Sequence, residues 1–402
     1  MSTDVPARLA RALAAADTDR LVYDLAGISG QYRALLDELP GIRVRFAMKA
    51  CPVDEVLRCL VGEGAGFDAA SPAEITQALA AGAPAERIHY GNTVKSDAGI
   101  AEAHRLGVRT FATDSEQDVA AVAAHAPGSR VFCRLATSGE GALWGLSRKF
   151  GCSGEDAVRV LEAARAAGLV PAGLSVHVGS QQMTSEAWQD AFDSLAEVIA
   201  ALAGRGIAPD HVNLGGGLPA QGYLDRHGRE LVPPLDKMFA VIREGMDQLR
   251  QVGSRPLDFV MEPGRHLVAD HGAVRAHVYR LTTRRQPGGD LARWLYLSCG
   301  KFNGLYEMDQ LCHRLVFPGH DGPRVPAVVA GPTCDSDDAY GAQGHRTPVP
   351  EDLASGDPVW ILSAGAYATS YMTQGFNGFS PLPCAWTRPA PDAAADSVKG
   401  AC

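Results

Sequence analysis

The residues of this sequence that most clearly suggest chemistry begin with one lysine. Lys49 ends the largely apolar run Val44–Met48 and is followed by small residues and Pro52. Burial at a strand end disfavours a charged ammonium group, and a lysine amine that is neutralised in this way is a good nucleophile. Strand-end lysines are more often simply solvated, so a role for Lys49 depends on which residues surround it.

Further segments carry residues that suit catalysis or phosphate binding. They contain Asp68, Arg134, His177, the run Gly215-Gly216-Gly217, and Glu262 with Arg265. Each residue also has a simpler interpretation. The glycines can form only a tight turn, although glycine amides directly after a strand can also bind phosphate. Arg265 can pair with Glu262 or bind a phosphate through two parallel hydrogen bonds.

His177 and Glu262 are similarly open to two interpretations. An isolated histidine is usually a satisfied core residue, but a planar imidazole near a lysine and a phosphate site also suits stacking on an aromatic cofactor. Glu262 can be a structural carboxylate or the partner of a ring nitrogen. The elements that position these residues decide between the alternatives.

Short apolar strands alternate with amphipathic helices from about residue 42 to residue 265. The predicted strands are 44–49, 66–71, 88–93, 109–115, 130–136, 173–180, 211–217 and 257–265, and the predicted helices are 53–62, 72–82, 96–107, 115–126, 154–168, 185–206 and 235–253. This alternation predicts a parallel sheet, and its length favours a closed (β/α)8 barrel of the TIM type over a doubly wound open sheet. In such a barrel the residues named above share one rim, because each lies at the C-terminal end of a strand.

The pattern changes after about residue 266. Short β segments at 273–281, 294–298, 325–330 and 357–363 lack long helices between them. They predict a second, antiparallel β domain, a sandwich or barrel, in a fold of the α/β class. We expect the barrel at 25–265, the β domain at 1–24 and 266–387, and a disordered tail at 388–402.

Composition excludes several classes of protein. The chain has 402 residues, a formal net charge of −9 and 46% hydrophobic residues, without a basic run or a membrane-length apolar segment. Nucleic acid and membranes are therefore not expected partners. The nine cysteines are scattered and form no CxxC pair, which predicts neither disulfides nor a metal site and favours a cytoplasmic protein.

Together, a nucleophilic lysine, a phosphate-binding turn, a stacking histidine and a carboxylate describe a pocket for pyridoxal phosphate (PLP). In such a pocket the lysine binds the cofactor covalently, and an acidic residue keeps the pyridine nitrogen protonated. The glycines lack the GxGxxG pattern of a dinucleotide site.

The sequence resembles the fold-type III PLP-dependent decarboxylases, which include ornithine, lysine, arginine and diaminopimelate decarboxylases. The resemblance extends from Tyr23 to Phe379, and the matching motifs occur in order: Phe46-Ala47-Met48-Lys49-Ala50, Phe67-Asp68-Ala69-Ala70-Ser71, His177-Val178-Gly179-Ser180, Gly215-Gly216-Gly217-Leu218-Pro219, Glu262-Pro263-Gly264-Arg265, Gly331-Pro332-Thr333-Cys334-Asp335, Gly365-Ala366-Tyr367 and Phe376-Asn377-Gly378-Phe379.

The resemblance implies a role for each residue of the cofactor site. Lys49 would hold PLP covalently, His177 would stack on its ring, and Glu262 would bind the pyridine nitrogen. Asp68 and Arg134 would lie beside them. The phosphate would be bound by Ser180, Gly215, Gly216, Gly217, Arg265 and Tyr367.

The resemblance also implies a head-to-tail homodimer with shared active sites. Cys334 and Asp335 would enter from the second subunit, Cys334 as the proton donor and Asp335 as the partner of a distal amine. Phe376 and Cys299 would lie on the substrate side. Cys299 stands where eukaryotic ornithine decarboxylases carry an aspartate, and Glu307 and Asp309, a few residues on, are candidate acidic substitutes.

The implied reaction is decarboxylation of L-ornithine or a related basic amino acid. The Cys334-Asp335 pair favours ornithine-type enzymes over diaminopimelate decarboxylases, which usually carry Cys-Glu. Cys299 leaves diaminopimelate, or a modified amino acid of a specialised biosynthetic pathway, as alternatives. A catalytically inactive regulatory homologue is a further alternative, which the retained Lys49 and Glu262 disfavour.

Overall fold

The structure is a computed structural model, which describes residues 5–145, 148–285, 287–341 and 344–387. The predicted disordered tail at 388–402 lies outside these residues. Contacts divide the chain into two compact units. One comprises Ser29–Pro219 and Pro233–Gly264, and the other comprises Met1–Ile28, Ala220–Val232 and Arg265–Cys402.

The first unit is a closed barrel of eight parallel strands in chain order. The strands are Ile42–Ala47, Gly66–Ala69, Ile88–Tyr90, Thr110–Thr113, Arg130–Arg134, Val170–Ser175, His211–Asn213 and Asp258–Met261. The last strand pairs with the first, Val260 opposite Arg43, which closes the sheet. This confirms the predicted barrel and excludes the doubly wound alternative.

Helices follow the barrel strands close to where the sequence pattern predicts them. They are Asp54–Gly62, Pro72–Ala80, Asp97–Arg105, Glu116–His125, Gly154–Ala166, Glu186–Gly204 and Leu235–Val252, and Leu25–Glu38 precedes the first barrel strand. The hydroxyls of Ser71, Ser96 and Ser115 each accept a hydrogen bond from a first-turn amide. Such caps satisfy amides that a helix start leaves without partners.

Alternate residues of each barrel strand face the helices or the barrel interior. Phe46 and Phe67 are fully buried and meet edge to face with ring centroids 6.4 Å apart. Full burial of one such side chain stabilises the fold by roughly 1.5–3 kcal/mol. The intervening residues include the polar side chains of Arg45, Asp68 and His89.

The second unit contains an eight-stranded sheet. Its strands are Arg20–Asp24, Gly272–Arg285, Leu291–Leu297, Leu315–Val316, Arg324–Ala330, Thr347–Pro350, Pro358–Ile361 and Cys384–Thr387. The sheet is mixed rather than wholly antiparallel, because Leu291–Leu297 pairs in parallel with Arg324–Ala330, and Arg20–Asp24 with Cys384–Thr387. The N-terminal strand Arg20–Asp24 joins this sheet by pairing with Gly272–Arg285 and Cys384–Thr387.

Shorter elements complete the described chain. They are the helices Ala7–Ala15 and Arg265–Val268, the paired strands Ala142–Trp144 with Ser180–Gln182 and Leu224–Asp225 with Leu311–Cys312, and the 3-10 turns Met48–Ala50, Ala85–Arg87, Ala269–His271, Lys301–Asn303, Thr369–Tyr371 and Phe376–Gly378. Among the described residues, every helix is too short or too polar to cross a bilayer.

Candidate active site

A cavity of about 600 Å³ lies in the barrel unit and collects several of the predicted site residues. Its lining includes Lys49, Asp68, Arg134 and His177, together with Gly91, Asn92, Thr93, Arg148, Lys149 and Phe150. The four predicted residues come from different barrel strands or from the turns that follow them. The predicted convergence on one rim is therefore present for this part of the site.

Lys49 lies in the turn Met48–Ala50, directly after the first barrel strand. Its Nζ is 3.3 Å from Asp68 Oδ2, and its side chain is 48% exposed. The expectation of a buried lysine is wrong for this structure, because the chain leaves the strand before residue 49. What holds the amine in place instead is the charge of Asp68.

Asp68 is a buried carboxylate at the end of the second barrel strand. Burial disfavours its charged form, but the Lys49 charge and the His89 ring outweigh that cost and hold the pKa of Asp68 well below its usual range. Asp68 is therefore an anion at neutral pH.

His177 lies two residues after the sixth barrel strand. Its Nδ1 accepts a hydrogen bond from the Gly179 amide at 3.1 Å, and Thr137 Oγ1 donates to its carbonyl at 2.7 Å. Burial, then the charges of Arg134 and Lys49, lower the pKa of His177 to about 3. The ring is therefore neutral, carries its proton on Nε2, and can offer an uncharged face to an aromatic ring.

Arg134 ends the fifth barrel strand. Its guanidinium lies over the ring of Phe150, 5.1 Å from the centroid. Burial lowers the pKa of Arg134, and the carboxylates of Glu262 and Asp68 partly offset that effect. Arg134 thus remains a cation beside the cavity.

The glycine turn follows the seventh barrel strand and requires the absence of side chains. At Gly215 the backbone φ is +65°, and a Cβ there would lie 2.1 Å from the Val176 carbonyl oxygen. The Gly215 amide donates to Asn213 Oδ1 at 2.8 Å. Within the described residues, the amides of Gly216 and Gly217 have no hydrogen-bond acceptor. Two adjacent amides are therefore available to an anion.

Glu262 follows the eighth barrel strand and is held by two side chains that the sequence analysis missed. Asn213 Nδ2 donates to Glu262 Oε1 at 2.5 Å, and His89 Nε2 lies 2.8 Å from the same oxygen. Asp68, His89 and Glu262 each offer a ligand atom within 4.8 Å of the others, a spacing that a metal ion can also use. The absence of a metal therefore stays a prediction.

Strand register is the signal that would have revealed His89. The second and third barrel strands pair Asp68 with His89. Residues in register on neighbouring barrel strands share an interior layer, so a histidine opposite a candidate carboxylate is itself a candidate. The residues Arg148, Lys149 and Phe150 carried no comparable signal, because they lie in an irregular segment.

Arg265 and Tyr367 lie together in the second unit. The Arg265 guanidinium is 4.7 Å from the centroid of the Tyr367 ring and donates to Glu307 at 2.6 and 2.8 Å. Burial opposes its charge, but Glu307 and Tyr223 raise the pKa of Arg265 above its ordinary value. Phosphate binding by Arg265 and Tyr367 stays a prediction, as does that by Ser180, which begins the strand Ser180–Gln182.

Cys334 lies on an exposed loop of the second unit. Its amide donates to Asn377 Oδ1 at 3.0 Å, and Asn377 Nδ2 lies 3.3 Å from its sulfur. These contacts bring Cys334 close to Phe376, whose ring stacks on Phe302 at 4.4 Å. Asp335 follows on the same loop and is partly exposed.

Cys299 is fully buried, and its sulfur lies 3.5 Å from the Asn303 carbonyl oxygen. Its two suggested acidic substitutes already have ionic partners: Glu307 binds Arg265, and Asp309 lies 3.8 Å from Lys301 Nζ. Substrate contact by Cys299 stays a prediction.

The family follows from comparison with known proteins. The sequence profile described as "Pyridoxal-dependent decarboxylase, pyridoxal binding domain" matches residues 25–269, more than half of the chain. This chain belongs to the pyridoxal-dependent decarboxylase family. The resemblance stated from the motifs is thereby confirmed, and the decarboxylase uses PLP as its cofactor.

Relatives support the assignment over nearly the whole length. The decarboxylase is 30% identical to a lysine/ornithine decarboxylase of Selenomonas ruminantium, over 91% of this chain and 88% of that protein. It superposes on SrLDC, solved as a variant with PLP, with a TM-score of 0.84, 28% identity and 96% of each chain covered. A Vibrio vulnificus lysine/ornithine decarboxylase solved with putrescine gives a TM-score of 0.80 and 27% identity, with 94% of this chain and 96% of that chain covered.

The residues of the barrel unit fit this cofactor. The unengaged amides of Gly216 and Gly217 suit a phosphate, the neutral His177 ring suits a pyridine face, and the Lys49 amine suits an aldehyde. PLP supplies an electron-accepting pyridine ring and an aldehyde that binds amines covalently.

Proposed function

We propose that this decarboxylase removes the α-carboxyl group of L-ornithine or a closely related basic L-amino acid. The observation that carries the substrate class is the loop bearing Cys334 and Asp335. The buried Asp338 holds this loop: its Oδ2 accepts hydrogen bonds from the Thr333 amide at 3.0 Å and hydroxyl at 2.6 Å. A thiol and a carboxylate are thus presented together on a fixed, partly exposed turn.

The barrel residues have separable tasks in this proposal. Lys49 Nζ would hold the cofactor, and the Asp68 carboxylate, 3.3 Å away, fixes the position of Nζ. The neutral His177 ring covers the cofactor face. The amides of Gly216 and Gly217 bind the phosphate, since unpaired backbone amides form strong bonds to anions.

Glu262 decides the reaction type in this proposal. The Glu262 carboxylate would keep a proton on the pyridine nitrogen, and the bound cofactor would supply an electron-accepting ring. Glu262 therefore favours loss of the carboxylate.

Cys334 and Asp335 act on the substrate from a second subunit in this proposal. Cys334 Sγ delivers a proton to the α-carbon after carbon dioxide leaves. The Asp335 carboxylate accepts a bond from the distal amine, and hydrogen bonds to charged groups of this kind contribute about 1.5–3 kcal/mol. The chain would then work as a head-to-tail homodimer, and the eight free cysteines of the described residues suit a cytoplasmic location.

The buried Cys299 leaves a longer or modified basic substrate as the second candidate. Glu307 already pairs with Arg265, so the acidic group that we propose for the distal amine is Asp335 of the second subunit. A substrate with a larger polar end, such as diaminopimelate or an acylated diamino acid, would need fewer carboxylates than free ornithine.

A panel of free amino acids tests the proposal by release of carbon dioxide. We expect turnover of ornithine or another diamino acid, and Asp335→Ala should raise the KM for it more than about tenfold, since an unpaired buried charge is strongly disfavoured. Asp337→Ala, two residues along the same loop and exposed, is the matched control and should leave KM unchanged. A higher kcat/KM for a neutral or acidic amino acid than for every diamino acid would contradict the assignment. An inactive homologue would release no carbon dioxide from any substrate.

A further inference from the structure

His89 is a fully buried histidine between two carboxylates of the barrel interior. Its Nε2 lies 2.8 Å from Glu262 Oε1 and 3.2 Å from Asp68 Oδ1. The ring nitrogen is not aligned with either oxygen as a directed hydrogen bond would be, and Nδ1 has no hydrogen-bond partner among the described residues. The contact is therefore an ion-pair contact that two carboxylates share.

The two contacts on Glu262 leave one of its oxygens open. Asn213 Nδ2 and His89 Nε2 both approach Oε1, and within the described residues no hydrogen bond reaches Oε2. Oε2 is then the oxygen that can accept a hydrogen bond from a pyridine nitrogen. Fixing one oxygen of a carboxylate in this way also fixes the direction in which the other one faces.

Charge explains why a histidine suits this position. Asp68 and Glu262 place carboxylate oxygens within 4.8 Å of one another, and two such groups cannot both ionise without a compensating cation. Lys49 Nζ lies 3.3 Å from Asp68 Oδ2, and the guanidinium groups of Arg45 and Arg134 also act electrostatically on both carboxylates. His89 contacts both carboxylates, so its proton can compensate the pair.

The groups that face His89 act in opposite directions. Burial disfavours the imidazolium, but Asp68 and Glu262 outweigh it and raise the pKa of His89, while Arg45 from the first barrel strand works against them. His211 from the seventh strand adds no charge, because burial and the neighbouring cations hold its pKa well below the ordinary value.

We propose that His89 is a positioning residue that orients Glu262, so that Oε2 faces the cofactor nitrogen. This inference depends on the proposed role of Glu262. His89 touches neither substrate nor cofactor and acts through the carboxylates.

Two substitutions test the role, with a matched control. His89→Leu removes both the polar N–H group and the charge, whereas His89→Gln keeps a polar N–H group without a charge. The control is His211→Gln, because His211 packs against Phe132 as His89 does: the ring centroids are 5.2 Å apart for His211 and 5.3 Å for His89, with nearly equal tilts. Circular dichroism and thermal melting of the holoenzyme establish that each variant is folded.

The main readout is the 15N signal of PLP labelled at the ring nitrogen, bound to the holoenzyme. We expect the signal of a protonated nitrogen in wild type and in His211→Gln, and a shift towards the neutral nitrogen in His89→Leu, with His89→Gln between them. Loss in kcat should be about 10- to 100-fold, as for other misplaced catalytic groups.

The outcomes separate this inference from the proposed function. If Glu262→Gln shifts the 15N signal and both folded His89 variants do not, the role of His89 is wrong and that of Glu262 stands. If Glu262→Gln also leaves the signal unchanged, the proposed placement of Glu262 fails. Metal analysis adds a third outcome: a stoichiometric metal that is lost in His89→Gln would mean that Asp68, His89 and Glu262 bind a cation, which overturns the positioning role.

Discussion

At the scale of single residues, the buried Lys95 binds the backbone of a segment that lines the cavity. Its side chain has no exposed surface, and its Nζ donates to the carbonyls of Asn92, Thr93 and Ala112 and to Asp118 at 2.7 Å. Burial lowers the pKa of Lys95 and raises that of Asp118. The pair thus fixes the segment of Asn92 and Thr93, which lines the cavity.

Replacing one member of this pair should destabilise the fold strongly. Lys95→Ala leaves Asp118 buried and uncompensated, and we expect a loss of about 3–5 kcal/mol in the free energy of unfolding. Urea denaturation measures it, with the exposed Lys237→Ala as a control that should stay within about 0.5 kcal/mol. The double variant Lys95→Met/Asp118→Leu should lose less than Lys95→Ala alone; an equal or larger loss would contradict this account.

At the scale of elements, the turn Gly215–Gly217 links the seventh barrel strand to the predicted phosphate position. Both backbone groups of Gly215 are hydrogen-bonded: its carbonyl accepts from the Glu262 amide at 2.7 Å, and its amide donates to Asn213 Oδ1. Alanine at 215 would add backbone strain of about 1–3 kcal/mol and a clash with the Val176 carbonyl. Substitution at 215 therefore tests stability and not binding.

Gly216 is the position that tests cofactor binding. A Cβ there would lie 2.9 Å from the Glu262 carbonyl oxygen and 3.2 Å from His177 Nε2. We expect Gly216→Ala to stay folded but to lower PLP affinity about tenfold or more, measured by fluorescence titration of the apoenzyme. Gly204→Ala is the control, because a Cβ at 204 meets no atom within 4 Å; its PLP affinity should equal that of wild type. Unchanged affinity in both variants would exclude the turn as the phosphate site.

Helices and strands could be predicted from the sequence where the hydrophobic pattern extends over enough residues. The helix Gly154–Ala166 and the strand Arg130–Arg134 carry many residues in phase, so their bounds follow from hydrophobic spacing. His89 could not be found in this way, because its strand Ile88–Tyr90 has three residues. Which of these faces the interior depends on register with the neighbouring strand, a non-local property.

Exposure was harder to predict than position. Lys49 was predicted to be the last residue of the first barrel strand, but the strand ends at Ala47 and Lys49 lies in the turn Met48–Ala50. Its burial depends on where the chain turns at Met48. The commitment of Glu307 to Arg265 links positions 42 residues apart in sequence, and no local pattern indicates such a pair. The sequence therefore predicts which residues lie at the rim of the barrel better than it predicts their exposure or their ionic and hydrogen-bond partners.

At the scale of the whole molecule, the proposed dimer makes a prediction that no single chain can satisfy. Lys49 lies in the barrel unit and Cys334 in the second unit, and the proposed reaction needs Lys49 of one subunit and Cys334 of the other. Lys49→Ala and Cys334→Ala homodimers should each lack activity. Random mixing of equal amounts gives about half heterodimers with one intact site each, so activity should recover to about a quarter of wild type.

Complementation needs its own control for exchange. Differently tagged subunits should be recovered together after mixing, and activity should rise with the fraction of mixed dimers. Mixing Lys49→Ala with Glu262→Gln is the matched negative control. Lys49 and Glu262 belong to the same barrel, so each barrel of a mixed dimer carries one of the two changes and no site is intact. If the Cys334→Ala mixture recovers no more activity than this pair, despite proven exchange, then Lys49 and Cys334 act within one chain and the shared site is excluded.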